Sequence, residues 1–186
     1  MLEGVARFLS ARGRKHRSRA FRLWALSGGF LVFLVLAPLL LGVVGHFVAR
    51  GVPVTVPRSL EIAVGASAAT LGLLILLWAV ITFWRIGDGT PVPVAAPQKL
   101  VVSGPYLHCR NPIQLGAICY YLGLGSLFLS LSAGIVMFLL GLLLGGAYHK
   151  FVEEKELLLR YGVAYDDYRK RTPFLFPRPA RKHDGA

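Results

Sequence analysis

Acidic residues are scarce in this 186-residue chain: nine Asp and Glu stand against 21 Lys and Arg, a formal charge of +12. Cysteine is scarcer, with only Cys109 and Cys119. Both fall near the start of one apolar segment, on the side assigned below to the cytoplasm, so a structural disulfide is not expected and both are read as reduced. Also missing are a Gly-x-Gly-x-x-Gly turn after a strand, a Gly-Lys-Ser phosphate loop and a hydrolase nucleophile elbow. Any cofactor must then be held by other, membrane-associated elements. His149 lies four residues before Glu153, but no Cys or His partner set accompanies it, and no metal is expected.

What is abundant is apolar sequence. Hydrophobic residues make up 55% of the chain, against roughly 45–50% in soluble domains, and they come in long blocks. The composition is that of an integral membrane protein. Because the basic charge lies outside those blocks, it reads as an anchor to an anionic leaflet, with no nucleic-acid partner.

About 20 helical residues cross a hydrocarbon core. One span is predicted from about Trp24 to Val48 and a second from about Leu60 to Trp84. The block Ile113 to Tyr148 is too long for one crossing. Ser126, Ser130, Ser132 and Gly134 are its polar or breaking residues, so it folds back there into two short spans. Seven Lys and Arg precede the first span, from Arg7 to Arg22, and nine follow the last, from Lys150 to Lys182. The positive-inside rule then places both termini in the cytoplasm, which requires an even number of spans. The predicted fold is an all-α integral membrane protein of about four transmembrane helices, with a C-terminal cytosolic helical segment completing a cofactor pocket. Its parts are a basic arm (1–22), helices 1 and 2 (23–85), a Gly/Pro-rich connector (86–111), and a helical hairpin with the catalytic segment (112–186).

The apolar stretch after the arm exceeds a signal-peptide core and is read as a retained span. Leu2 to Leu9 is expected either to lie on the membrane surface as a short basic amphipathic helix or to stay a solvated arm. The connector carries Gly87, Gly89, Pro91, Pro93 and Pro97, so it should stay extended and be able to fold over a neighbouring site.

Candidate site residues cluster on both flanks of the hairpin. Pro112 suits the first turn of the third span. That puts Arg110 and Asn111 at a helix entry, where free N–H groups favour a carboxylate or phosphate. Glu153 and Glu154 follow the last span and are expected to head a helix; neighbours about 100° apart should find different partners. Tyr161, Tyr165 and Tyr168 share a face if the helix continues through Gly162, and the stripe is read as an interfacial aromatic belt ahead of a ligand contact. Gly141 and Gly145 permit close helix approach.

Taken in order, Gly104-Pro105-Tyr106, Arg110-Asn111-Pro112, Glu153-Glu154, Tyr161-Gly162-x-x-Tyr165-x-x-Tyr168 and Pro173-x-x-x-Pro177 resemble the C-terminal signature of the isoprenylcysteine carboxyl methyltransferase and phospholipid methyltransferase superfamily. Departures are Asn111 where His is common, Gln114 for an aromatic and Thr172 for Val. The resemblance implies an S-adenosyl-L-methionine-dependent methyltransferase acting on a lipophilic or lipidated acceptor that arrives from the bilayer. It implies cofactor-binding roles for Tyr106, Arg110, Asn111, Pro112, Gly116, His149, Glu153, Glu154 and Tyr165, and catalytic roles for Arg110 and Glu154. With both charges placed at water-facing span ends, their removal should cost little stability. A carboxylate acceptor needs no general base, whereas an amine or thiol does, with the second Glu as the candidate. The alternatives are an NADPH-dependent, sterol-reductase-like membrane enzyme and a non-enzymatic protein that binds anionic lipid.

Overall fold

The computed structural model describes residues 2–13 and 17–179. Arg14, Lys15, Arg181 and Lys182, which enter the charge argument above, lie outside the described residues. All regular structure among the described residues is helical: α1 (Leu2–Gly13), α2 (Arg19–Ala49), α3 (Arg58–Gly87), α4 (Pro112–Phe128), α5 (Leu131–Tyr161) and α6 (Val163–Arg171). By length and composition α2, α3 and α5 are each apolar enough to cross a membrane, and α4 is a shorter apolar helix of 17 residues. This is the make-up of a multi-pass membrane protein. The fold-back falls at Leu129 and Ser130, inside the predicted serine cluster.

The chain divides into two compact units. One comprises Phe30–Leu76 and Gln114–Gly146. Here α3 and α4 meet backbone to backbone: a Cβ on Gly72 would come within 2.5 Å of the Tyr120 amide nitrogen, and one on Gly123 within 2.4 Å of that of Ala69. Small residues of this kind let helices approach closely where lipid offers no hydrophobic drive. Gly141 packs on Tyr121 and Ile118, and Gly145 on Gln114, so the Gly-x-x-x-Gly of α5 serves packing within the chain. Gln114, buried, donates to the Gly141 carbonyl at 2.7 Å.

Pro38 explains an irregularity inside α2. It has no N–H to offer the Leu34 carbonyl, and Leu31–Leu36 winds as a π-helix instead. A backbone acceptor left open in an apolar helix must find another donor. The Tyr121 hydroxyl donates to the Phe33 carbonyl at 2.9 Å, and that of Tyr120 lies 3.4 Å from the Leu34 carbonyl.

At the fold-back, two residues of α3 cap the hairpin according to its dipoles. Arg58 donates to the Ser126 and Leu127 carbonyls at the end of α4, while Glu61 accepts the Leu131 N–H at the start of α5 at 2.8 Å.

The other unit comprises Met1–Gly29, Leu77–Ile113 and Ala147–Ala186. In it α1 is a helix that packs against the 93–95 turn, the 149–153 turn and the end of α5, so it is not a loose arm. The connector is folded rather than extended. It contains a 3-10 turn, Pro93–Ala95, and its Gln98 N–H donates to the Gly87 carbonyl at 2.7 Å. It folds back onto α5: the Pro97 carbonyl accepts from Arg160 and, at 2.7 Å, from the Tyr161 hydroxyl.

Candidate functional site

The candidate site is built within this second unit from the stretch entering α4, the end of α5, and α6 with the tail after it. Gly104 takes φ +61°, a left-handed conformation that glycine adopts without steric cost. It opens the turn Gly104–Leu107, which buries Tyr106. The Tyr106 ring stacks on Phe83 at 4.6 Å and 15°, and its carbonyl accepts from the Tyr168 hydroxyl at 2.7 Å. Ala79, Val101, Tyr165 and Tyr168 complete the apolar core around it.

Arg110 is the hub. Its guanidinium donates to Glu154 at 2.6 Å, lies 3.4 Å from the Tyr165 hydroxyl and stands 5.5 Å over the Phe174 ring. Both charges of that pair are buried, their side chains only 8% and 7% exposed. Glu154 is further compensated by Lys150 at 3.2 Å and Arg169 at 3.8 Å. The tail closes this region from the other side: the Asn111 side chain donates to the Phe174 carbonyl at 2.9 Å, and the Arg178 N–H to the His108 carbonyl at 3.1 Å.

Within α5, His149–Glu153 is a π-turn, an irregularity often found at functional sites. Across it the His149 imidazole Nδ1 bonds the Glu153 carboxylate. One turn on, Glu156 pairs with Arg160 at 3.2 Å, both side chains buried. The neighbouring acids Glu153 and Glu154 thus have different partners.

Several expectations change. Glu153 and Glu154 do not head a helix, because α5 runs unbroken through the π-turn to Tyr161. The Arg110 N–H is not free for a ligand, since it donates to the Pro173 carbonyl at 2.9 Å. Arg110 and Glu154 are buried rather than water-facing, so removing either carries a stability cost. Gly162, at φ +55°, ends α5 and separates Tyr161 from Tyr165 and Tyr168. Those two tyrosines are buried in the core and form no interfacial belt. Gly116 belongs to the first unit, where it packs on the Gly72 carbonyl and Leu76. Pro112 is buried at the first turn of α4, as expected.

The electrostatics follow from burial. The Tyr165 hydroxyl is pushed up to about 12, chiefly by desolvation and against the pull of Arg110. Tyr168 is also raised, and Tyr106 is raised well above its ordinary value by burial, with the Glu153 charge adding to the cost of ionising it. Burial lifts the Cys109 thiol to about 11. Two buried polar atoms here have no partner among the described residues, the Tyr106 hydroxyl and Arg110 Nε. Among the described residues no group of three or more His, Cys, Asp or Glu is placed to hold a metal ion.

Lys150, Arg169, Phe174 and the Glu156–Arg160 pair were not anticipated. The i,i+4 spacing of Lys150 with Glu154, and of Glu156 with Arg160, was a readable signal. For Arg169 and Phe174 no local pattern existed.

A family model described as phospholipid methyltransferase matches residues 60–164. The nickel-cobalt-cadmium resistance protein NccN of Alcaligenes xylosoxydans xylosoxydans is 30% identical over 115 residues, which cover 62% of this chain and 52% of NccN. The match thus spans about half the length of that curated relative. No solved structure matches. The family match covers more than half of the sequence and takes in Tyr106, Arg110 and both Glu153 and Glu154: the chain belongs to the phospholipid methyltransferase family.

Proposed function

We propose that this protein is an S-adenosyl-L-methionine-dependent membrane methyltransferase whose acceptor is lipophilic, either an isoprenylcysteine-type carboxyl or a phospholipid-type amine. The observation that carries the reading is the pair of orphaned buried atoms, the Tyr106 hydroxyl and Arg110 Nε, in one unit with the aromatic rings of Phe83, Tyr106 and Phe174. A buried donor without an acceptor costs about 1–3 kcal/mol. A ligand bearing a carboxylate and hydroxyls would relieve that cost.

The donor set fits the cofactor. Arg110, already held by Glu154, offers its remaining N–H to a carboxylate, and the Tyr106 hydroxyl offers a second donor. Aromatic faces suit a cation. Glu153, which no guanidinium or ammonium among the described residues neutralises, supplies negative charge for a ligand that carries both an ammonium and a sulfonium. When bound, the cofactor supplies the electrophilic methyl group. The chain's own contribution is to align the reactants and exclude water, and alignment alone contributes about 7–11 kcal/mol in favourable cases. The apolar tail of the acceptor is held by burial at about 25 cal/mol per Å². In this reading both chain termini and the site face the cytoplasm.

The reading is tested with a tail-length series of acceptors and labelled cofactor in vesicles. Methyl transfer rises with chain length. Equal turnover of short, water-soluble analogues contradicts entry from the bilayer, and no transfer to any acceptor contradicts the enzyme assignment.

A further inference from the structure

The three carboxylates at the end of α5 are not equivalent. Glu154 is bonded by Arg110, Lys150 and Arg169, and Glu156 by Arg160. The oxygens of both acids are thus already occupied by permanent cations. Glu153 is bonded only by His149 among the described residues, and it is about one-third exposed. A carboxylate accepts and does not donate, so the imidazole proton of His149 lies on Nδ1. In the neutral imidazole that leaves the lone pair on Nε2, for which the described residues provide no donor. The His149 side chain is 18% exposed and so largely shielded from water. A carboxylate that fixes the tautomer and orientation of an imidazole, with the far nitrogen bare, is the arrangement by which His serves as a general base. The orphaned Tyr106 hydroxyl lies in the same compact unit as this pair.

We infer that His149, positioned by Glu153, is the base that takes the proton from the methyl acceptor, and that the acceptor therefore carries an ionisable N–H or S–H group at the point of reaction. The role passes from Glu154 to the His149 side of the helix. For an amine, an N–H bond of the entering ammonium breaks and its proton goes to Nε2. The freed lone pair forms the N–CH3 bond as the S–CH3 bond breaks, its electron pair passing to sulfur. The imidazolium, opposite the Glu153 carboxylate, then returns the proton to water. An apolar setting assists by disfavouring the charged amine. The inference rests on the methyltransferase reading.

The test has two arms, both on the full chain in lipid nanodiscs. In the first, without cofactor, 15N spectra of labelled histidine report tautomers, with His149 assigned by its loss in His149→Gln. The wild type shows Nδ1–H and a bare Nε2, and Glu153→Gln loses that preference. A wild-type His149 protonated on Nε2 overturns the inference. In the second arm, phosphatidylethanolamine vesicles and a prenylated cysteine are offered with labelled S-adenosylmethionine, and cofactor affinity is measured by calorimetry. His149→Gln lowers kcat on the amine by about 100-fold or more, the usual scale of general-base catalysis, with cofactor affinity retained. Unchanged kcat on the amine, a loss of cofactor binding in His149→Gln, or a wild-type enzyme that methylates only the carboxyl of the prenylcysteine would each overturn it. A wild type that binds no cofactor sinks the methyltransferase reading itself.

Discussion

Replacing Glu154 by alanine strands a guanidinium. Among the described residues the Arg110 guanidinium would keep only the Tyr165 hydroxyl at 3.4 Å and the Phe174 face at 5.5 Å, neither of which carries a formal charge. Removing one partner of a buried pair costs about 3–5 kcal/mol, because the other charge stays desolvated and unpaired. The reverse change is milder. In Arg110→Ala, Glu154 retains Lys150 and Arg169, whose side chains are 55% and 36% exposed and can close in on it. The loss is then nearer one charged hydrogen bond, about 1.5–3 kcal/mol. For a chain of this size each kcal/mol moves the melting point by about 2–4 °C. Glu154→Ala is therefore expected to melt roughly 10 °C below the wild type and Arg110→Ala about half as far below. The double variant Arg110→Leu/Glu154→Leu, with both charges gone, recovers much of the loss. Melting curves of purified protein in one detergent measure all three. If Arg110→Ala is the more damaging single change, or if both singles melt like the wild type, the pair is not the buried lock described above.

The close approach of α3 and α4 predicts opposite outcomes for two glycines. Gly72→Ala should lower the melting point by forcing the backbones apart, while Gly146→Ala, with nothing within 4 Å of the added carbon, should leave it unchanged or raised. Glu61→Ala removes the acceptor of the Leu131 N–H and leaves Arg58 on the α4 carbonyls, so the melting point should fall. The raised Cys109 thiol contributes stability that is fully present below its ordinary value of 9.0 and is lost as pH rises toward about 11. In a Cys119→Ser background, native protein should resist alkylation at pH 9 until it is unfolded, and rapid native alkylation would contradict the burial. Single cysteines at Gly4 and Pro179, probed with an impermeant reagent on intact cells, should both stay unlabelled if the termini are cytoplasmic.

Hydropathy and length located the long apolar helices, and the serine cluster located the fold-back, because both depend on composition within one stretch of chain. The paired acids were legible for a related reason: neighbouring residues on any helix face different directions. Where the expectation failed, a long-range partner had intervened. Nothing near Arg110 announces that the Pro173 carbonyl takes its N–H, or that Phe174 lies under its guanidinium. The unbroken course of α5 was hidden because polar Lys150, Glu153 and Glu154 look like a helix start when the apolar run ends, although nothing there breaks a helix. Pro38 was a readable signal of the π segment in α2. The tyrosines that satisfy the opened carbonyls, however, come from a helix more than 80 residues away.

The most direct test of the central claim is calorimetric titration of the purified protein with S-adenosylmethionine and, separately, with NADPH, for the wild type and for Tyr106→Phe. That substitution removes one orphaned hydroxyl and keeps the ring stacked on Phe83. The account predicts saturable binding of S-adenosylmethionine alone, weakened about tenfold in Tyr106→Phe, as befits the loss of one hydrogen bond of about 1–1.5 kcal/mol. Binding of NADPH instead, or affinity for S-adenosylmethionine untouched by the substitution, would contradict it.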